Sequence, residues 1–414
     1  MTTARRWGIM PRIALVTLTV AAVSGMPIRA MAQPPRQTDA DAYTRYELLA
    51  PESGKFRILY DVSATTPGAT EYFNPIRQGS IATDERVHDL ATGQQLAFDI
   101  VNAEAARAGG VRVSDSTQQY LRVQLARPVP GNGGEGRIRI DKTYEDRASY
   151  HLDGEELVFE RPLGIKRNAV VLPQGWELIA CNYPSQVLQE TDGRILISFW
   201  NATPAEAPLK LRARRMSGMT SGATSVRPRL VERAAQTREI VYALREPSTH
   251  AFDLYHDYTE DRVGTDHYLN VVRAGSTVSE PSGVNLDTGE PLRTEVVRGP
   301  AITRAKLAVA DVQPTTEVVV FRFPAVPQGG SVRLRMSETY TDPARYREVN
   351  GELVWDRGFG RPANAVVLPR GWMLTNSTVP GVVTTVSDGR VRIDFINPRN
   401  DDIGVLITAR RRAP

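Results

Sequence analysis

The chain has 414 residues, of which 41% are apolar and 24% are charged. This length allows two or more domains, each with its own hydrophobic core, and this composition excludes a disordered or fibrous chain. The single cysteine, Cys181, excludes an intramolecular disulfide.

Residues 1–32 have the pattern of a secretory signal peptide. Three arginines (Arg5, Arg6, Arg12) precede an uncharged, mostly apolar run at 13–23, and Ala30-Met31-Ala32 then offers an A-x-A cleavage site. We expect export to the periplasm or the medium, with cleavage after Ala32. A helix over this run would rise only about 16 Å, roughly half a bilayer core. We therefore expect no stable membrane insertion of the mature chain.

Removal of the signal peptide changes the charge balance. The whole chain carries a formal charge of +4, and residues 1–32 contain four arginines and no acid. Subtracting these four from the 51 basic residues leaves 47, equal to the 47 acidic residues. Because the mature chain lacks a basic excess, we expect no nucleic-acid partner.

The mature sequence is interpreted as a tandem duplication. NAVVLPQGW at 168–176 returns as NAVVLPRGW at 364–372, and 143–215 and 339–411 share 30 of 73 positions without a gap. The predicted organisation is a disordered mature N-terminus at 33–42, a first repeat at 43–215, a linker at 216–238 and a second repeat at 239–414. Within the linker, RLVERAAQ is compatible with a short helix.

Both repeats have the period-two pattern of strands. Apolar and polar residues alternate in YLRVQLARPV, GRIRIDKTY, GRILISFW, LKLRARR and SVRLRMSETY, and Asp-Gly or Asn-Gly turns separate such runs. EVVVFRF at 317–323 has four consecutive apolar residues in place of an alternating pattern, which suits a strand covered on both faces. The fold class is therefore all-β, with two tandem homologous β-sandwich-type units at a 196-residue offset, and we expect the two units to pack on each other.

The repeated nonapeptide is interpreted as scaffold. AVVLP is predicted to be a buried strand followed by a turn, and Trp176 and Trp372 are predicted to anchor the next strand in the core. Asn168 and Asn364 are expected to hold a loop backbone through their side-chain amides. The nonapeptide contains no acid, base or nucleophile, so it cannot supply chemistry alone.

The usual signatures of catalysis are absent from the sequence. We find no H-E-x-x-H, G-x-S-x-G, Walker A or C-x-x-C motif and no G-x-G-x-x-G after a strand, and we assign no catalytic, cofactor-binding or metal-binding residue and no cofactor. Asp287-Thr288-Gly289 resembles the aspartic protease triplet, but the first repeat has Ala91-Thr92-Gly93 in its place. A hairpin turn is the better interpretation, because that mechanism needs two carboxylates.

The densest polar cluster lies at 254–269 and contains His256, Asp257 and His267. A metal or calcium site there is the less favoured interpretation, since the first repeat retains only Asp61, in the place of Asp257. Neighbouring His256 and Asp257 would also point to opposite faces of a strand.

The favoured function is an exported, non-enzymatic binding or assembly module for a protein or glycan partner. One alternative is a carboxylate-based hydrolase, for example glycan-active, with its site at the junction of the repeats and a close carboxylate pair in a deep cleft. Another is a calcium-stiffened adhesive module. Six aromatic residues could stack on a sugar, although burial in the core is the more frequent role of such residues: Tyr144, Tyr150, Trp200, Tyr340, Tyr346 and Trp355.

Overall fold

The structure is a computed structural model that describes residues 35–217 and 230–412. The predicted signal peptide and residues 218–229 of the predicted linker lie outside the described residues.

Residues 35–217, called half 1, fold into strands with one short α-helix, α1 (Ala103–Ala108), and a 3-10 helix at Pro51–Ser53. The strands are β1 (Asp39–Leu48), β2 (Lys55–Ala64), β3 (Glu71–Pro75), β4 (Ile81–Asp89), β5 (Phe98–Val101), β6 (Tyr120–Gln124), β7 (Gly136–Glu145), β8 (Tyr150–Asp153), β9 (Glu156–Leu163), β10 (Arg167–Val171), β11 (Trp176–Cys181), β12 (Gln186–Gln189), β13 (Ile195–Trp200) and β14 (Ala207–Arg215).

Residues 238–412, called half 2, repeat this succession, with one short α-helix, α2 (Pro300–Arg304), and a 3-10 helix at Pro247–Thr249. The strands are β15 (Arg238–Leu244), β16 (Ala251–Glu260), β17 (His267–Val271), β18 (Thr277–Asn285), β19 (Arg293–Arg298), β20 (Glu317–Arg322), β21 (Val332–Thr341), β22 (Tyr346–Val349), β23 (Glu352–Phe359), β24 (Ala363–Val367), β25 (Trp372–Ser377), β26 (Val382–Thr385), β27 (Val391–Ile396) and β28 (Ile403–Arg411).

The two halves have the same sheet topology. In half 1 a seven-stranded sheet has the order β12-β13-β10-β1-β2-β7-β4, beside a four-stranded sheet β11-β14-β9-β8 and a three-stranded sheet β3-β6-β5. Half 2 has the orders β26-β27-β24-β15-β16-β21-β18, β25-β28-β23-β22 and β17-β20-β19. In each large sheet, the strand that comes first in the chain, β1 or β15, runs parallel to β10 or β24. It runs antiparallel to its other neighbour, β2 or β16. The all-β class is confirmed, and strands at equivalent positions occupy equivalent places.

Each half has a main core that contains side chains of all three of its sheets. In half 1, Phe56 of the large sheet meets Phe159 of the four-stranded sheet at 5.5 Å between ring centroids, and Val123 of the three-stranded sheet joins the same cluster. The predicted doubly covered strand is β20, where Val319 faces the main core and Val318 packs under helix α2. Because side chains alternate along each strand, one face of each large sheet lies in the interior. The other face, called the outer face, is available for contacts between the halves.

The repeated nonapeptide has the predicted structural role in both halves. Its strand is fully buried, Gly175 and Gly371 adopt the left-handed conformation at φ +81° and +83°, and Trp176 and Trp372 are buried. The Asn168 amide donates to the carbonyl of Ile165 at 2.7 Å, and the Asn364 amide makes the equivalent bond at 2.8 Å. These asparagines fix the loop before the strand, as predicted.

One local prediction was wrong, and one possibility left open by the sequence is not realised. Strand β1 begins at Asp39, inside the segment 33–42 that was predicted to be disordered, because Asp39 and Ala40 pair with strand β2 and the Gln37 side chain bonds the backbone of Phe73. The linker residues 230–237 do not form a helix but an extended segment with a turn at 233–236. Among the described residues, no helix is long and apolar enough to cross a membrane.

Candidate functional site

The two halves meet across a buried ion pair. The Arg137 guanidinium on β7 donates from Nε and Nη2 to the Asp287 carboxylate at 2.6 and 3.0 Å, and both side chains are about 5% exposed. The same arginine donates to the hydroxyl and the carbonyl of Ser331 at 3.0 Å each. The halves therefore pack on each other, as expected.

Contacts at this junction are reciprocal. Glu135 N donates to the Leu286 carbonyl at 2.7 Å, and the Ser331 hydroxyl donates to the Leu90 carbonyl at 2.8 Å. Adding 196 to 90 and 135 gives 286 and 331, so the two contacts are equivalent. In each half, the turn at 90 or 286 contacts the residue just before β21 or β7 of the other half. This is the arrangement of an isologous dimer interface within one chain.

Asp287 shows what the sequence analysis missed. The triplet at 287–289 is the predicted turn, with Gly289 N donating to the Asn285 carbonyl at 2.7 Å. Its ion pair with Arg137 was not predicted, because the equivalent residue in half 1 is Ala91. A carboxylate present in only one repeat at a turn was the available signal.

The segment 230–237, called the strap, crosses the junction. Its Glu232 carboxylate accepts from the Tyr43 hydroxyl at 2.9 Å and the Ser198 hydroxyl at 2.8 Å on half 1. Arg233 reaches half 2 and donates to the carbonyls of Asn397 and Gly360 at 3.2 and 2.9 Å. The strap thus joins both halves through side chains of adjacent residues.

The candidate site is an open cleft of about 580 Å³ between the outer face of the large sheet of half 2, the end of the strap and half 1. Half 2 contributes residues of β15, β16, β21, β24, β26 and β27, and half 1 contributes residues of β1 and β10, Glu135 and the segment 200–204 at and after the end of β13. Its cationic residues are Lys166, Arg167, Arg238, Arg333, Arg335 and Arg392, and its acidic residues are Glu135, Glu239, Asp257 and Asp394. We call it the junction cleft.

The four carboxylates that line the junction cleft each lie beside an arginine. Asp257 accepts from Arg335 Nε and Nη2 at 2.7 Å each, and its half 1 counterpart Asp61 is held in the same way by Arg139. The other ion pairs, by distance, are Arg392–Asp394 at 2.7 Å, Arg392–Glu239 at 3.2 Å and Arg333–Glu135 at 3.7 Å. The hydrolase alternative expected a close carboxylate pair at this junction. Glu239 and Asp394 share Arg392, so they lie near each other and are oriented by one guanidinium group.

Two aromatic residues contribute to the cleft wall. Trp200 is half-buried, and the Arg167 guanidinium lies 5.7 Å from its ring centroid. The Arg335 guanidinium lies 4.7 Å from the ring centroid of Tyr255. The other aromatic residues proposed for sugar stacking are buried in the two cores: Tyr144, Tyr150, Tyr340, Tyr346 and Trp355.

The polar cluster at 254–269 is divided by the sheet, as the alternation predicts. His256 is in the interior, where burial lowers the pKa of its imidazole well below the usual range, while Asp257 faces the junction cleft. His267 pairs with Asp266 at 2.6 Å in a more exposed position. Within 35–217 and 230–412, no group of three or more His, Cys, Asp or Glu side chains could hold a metal ion.

No family model and no curated protein matches this chain. Among solved structures, it is similar to a two-domain M1 zinc metallopeptidase bound to L-tryptophan and to one from Deinococcus radiodurans, each with 13% identity, a TM-score of 0.27 and 42% of this chain covered. The chain spans 41% of the length of those peptidases. It is also similar to the collagen adhesin of S. aureus, with 8% identity, a TM-score of 0.16, and 78% of this chain and 88% of the adhesin covered.

Proposed function

We propose that this protein is an exported, non-enzymatic binding module that holds a protein or glycan partner in the junction cleft. The observation that carries the proposal is the cleft itself, which is lined by both halves and by the end of the strap. Its arginine–carboxylate pairs and its aromatic wall supply oriented polar groups and flat apolar surface. Such surfaces suit recognition.

Export is the second part of the proposal and is supported by the sequence of residues 1–32. The mature chain would then act in the periplasm or the medium, where its partner is a component of the cell envelope or the surroundings. Absence of a catalytic motif from the sequence supports binding over turnover.

A bulky residue placed in the cleft tests this function. Thr384 lies on edge strand β26 with an exposed side chain and lines the cleft, whereas its neighbour Thr385 is exposed but does not line it. We expect Thr384→Trp to weaken capture of envelope proteins or array glycans by the mature chain at least about tenfold, and Thr385→Trp to leave it unchanged. Equal capture by both variants would exclude the cleft as the binding site.

Turnover would also contradict the proposal. The mature chain is incubated with a panel of glycans and peptides, and products are followed by mass spectrometry. We expect none. Hydrolysis that is abolished by substituting a single cleft carboxylate, such as Asp394→Asn, would establish the enzyme alternative instead.

A further inference from the structure

The strap shows how half 1 seats an extended segment of polypeptide on its outer sheet face. Glu232 binds two hydroxyls there, and Ala234 packs into a small apolar cluster with Tyr43, Ala169 and Leu196. Backbone groups are bound as well: the Gln186 side chain donates to the Val231 carbonyl at 3.1 Å and accepts from Arg233 N at 3.0 Å, and Arg167 donates to the Ala234 carbonyl at 2.8 Å.

The equivalent surface of half 2 is a wall of the junction cleft. For six of the half 1 residues that surround the strap, adding 196 gives a residue that lines the cleft, whereas Ala169 and Val171 correspond to Ala365 and Val367 in a neighbouring apolar cluster. The residues reached in this way are Val382, Thr384, Glu239, Arg392, Asp394 and Ile396. The cleft is therefore the half 2 counterpart of the surface that the strap covers on half 1.

The chemistry of the two surfaces differs where Glu232 is bound. Half 1 presents the hydroxyls of Tyr43 and Ser198, which donate to the glutamate. Half 2 presents the carboxylates of Glu239 and Asp394 at the same positions, with Arg392 donating to both. A carboxylate accepts several hydrogen bonds and donates none, so a side chain that hydrogen-bonds to these carboxylates beside Arg392 must be a donor.

We propose that the junction cleft binds an extended peptide segment of a partner protein that carries a lysine or arginine side chain where the strap carries Glu232. This inference rests on the proposed function and names the class of partner. The cationic side chain lies against Glu239 and Asp394, and the peptide runs along β26 and β27 as the strap runs along β12 and β13. Long cationic side chains also pack well against the Trp200 ring in the facing wall.

Two labelled peptides test this inference with the full mature chain. One has the strap sequence LVERAAQT, and the other carries lysine at the position of Glu232. We expect the lysine peptide to bind at least about tenfold more tightly than the glutamate peptide in fluorescence polarisation. Thr384→Trp should weaken its binding, and Thr385→Trp should not.

Transplanting the half 1 residues provides the specificity test. The double variant Glu239→Tyr, Asp394→Ser gives half 2 the hydroxyl pair of half 1, and we expect it to prefer the glutamate peptide. Asp401→Ser, which removes an exposed carboxylate paired with Arg399 at 2.5 Å, is the control and should keep the preference for lysine.

The inference is overturned if neither peptide binds saturably, if the double variant keeps the preference for lysine, or if a glycan but no peptide competes for the cleft. In each case, loss of native partner capture by Thr384→Trp would still support the cleft as the binding site. The two proposals can thus fail separately.

Discussion

One buried position carries a basic residue in half 1 and an acidic residue in half 2. Lys142 of half 1 donates to the Asn74 side-chain carbonyl at 2.9 Å, whereas its counterpart in half 2, Glu338, accepts from the Asn270 amide at 2.7 Å. Both charged side chains are buried between the sheets. An asparagine serves either charge because its amide group has a donor end and an acceptor end.

The pKa of Glu338 gives a prediction of pH dependence. Burial raises its pKa above the ordinary value of 4.5, so the folded protein binds this proton more strongly than the unfolded chain, and stability falls as pH rises through that interval. We expect Glu338→Gln to be more stable than the wild type at neutral pH, with the difference shrinking below pH 4.5. Urea midpoints from pH 4 to 8 measure it, and the exposed Glu348→Gln is the control. A constant difference across this range would contradict the assignment.

We expect replacement of Trp176 and of Trp372 to lower the stability of the two halves by equal amounts. Trp176 and Trp372 are each 2% exposed and carry the guanidinium groups of Arg215 and Arg411 over their rings at 4.9 and 5.0 Å. Replacement of either by alanine should destabilise its half by about 3–5 kcal/mol, because it leaves a large cavity. Denaturant unfolding followed by intrinsic fluorescence measures this cost. Near-native stability of either variant would show that its indole is not a core anchor.

At the scale of elements, alternation predicted strands well and surface segments poorly. The run GRIRIDKTY became β7, in which buried and partly buried residues alternate. The run GRILISFW became β13, in which Ile197 faces the main core and Leu196 lies in the cluster under the strap. The strap was compatible with a helix by composition, yet its backbone groups are bound by half 1 residues that are distant in sequence. Such tertiary hydrogen bonds leave no local periodicity, so neither the strap nor the junction cleft that it borders could be predicted.

The strap gives a second prediction at this scale. Ala234 is buried against half 1, while the adjacent Ala235 is exposed. We expect Ala234→Asp to release the segment, because a larger, polar side chain does not fit among the apolar side chains of Tyr43, Ala169 and Leu196. Trypsin should then cleave after Arg233 at least about tenfold faster than in the wild type, since proteolysis of native proteins follows local opening. Mass spectrometry of timed digests measures the rates.

Ala235→Asp is the matched control for the strap and should leave the rate of cleavage after Arg233 unchanged. Equal rates for the two aspartate variants would mean that Ala234 does not hold the segment on half 1.

At the scale of the whole molecule, the halves behave as two subunits whose contacts are exchanged by the 196-residue shift. This shift relates the strand orders of the two halves, the reciprocal turns at the junction, and the bidentate pairs Arg139–Asp61 and Arg335–Asp257. It is broken where the strap covers half 1 and where a carboxylate occurs in only one repeat. These two departures from symmetry lie at the junction, the region to which we assign function, whereas the exchange of Lys142 for Glu338 lies inside each half.

The ion pair between Arg137 and Asp287 should couple the folding of the two halves. Asp287→Ala, which installs the half 1 residue Ala91 at the equivalent position, leaves the Arg137 guanidinium buried without its carboxylate. We expect a loss of about 3–5 kcal/mol and a separation of unfolding into two transitions, since the pair joins two otherwise complete cores. Arg137→Met in the same chain removes the uncompensated charge and should recover part of the loss, because an apolar side chain of similar length can fill the site. A double-mutant cycle followed by calorimetry measures the coupling, and strictly additive effects would show that the two side chains do not act as a pair.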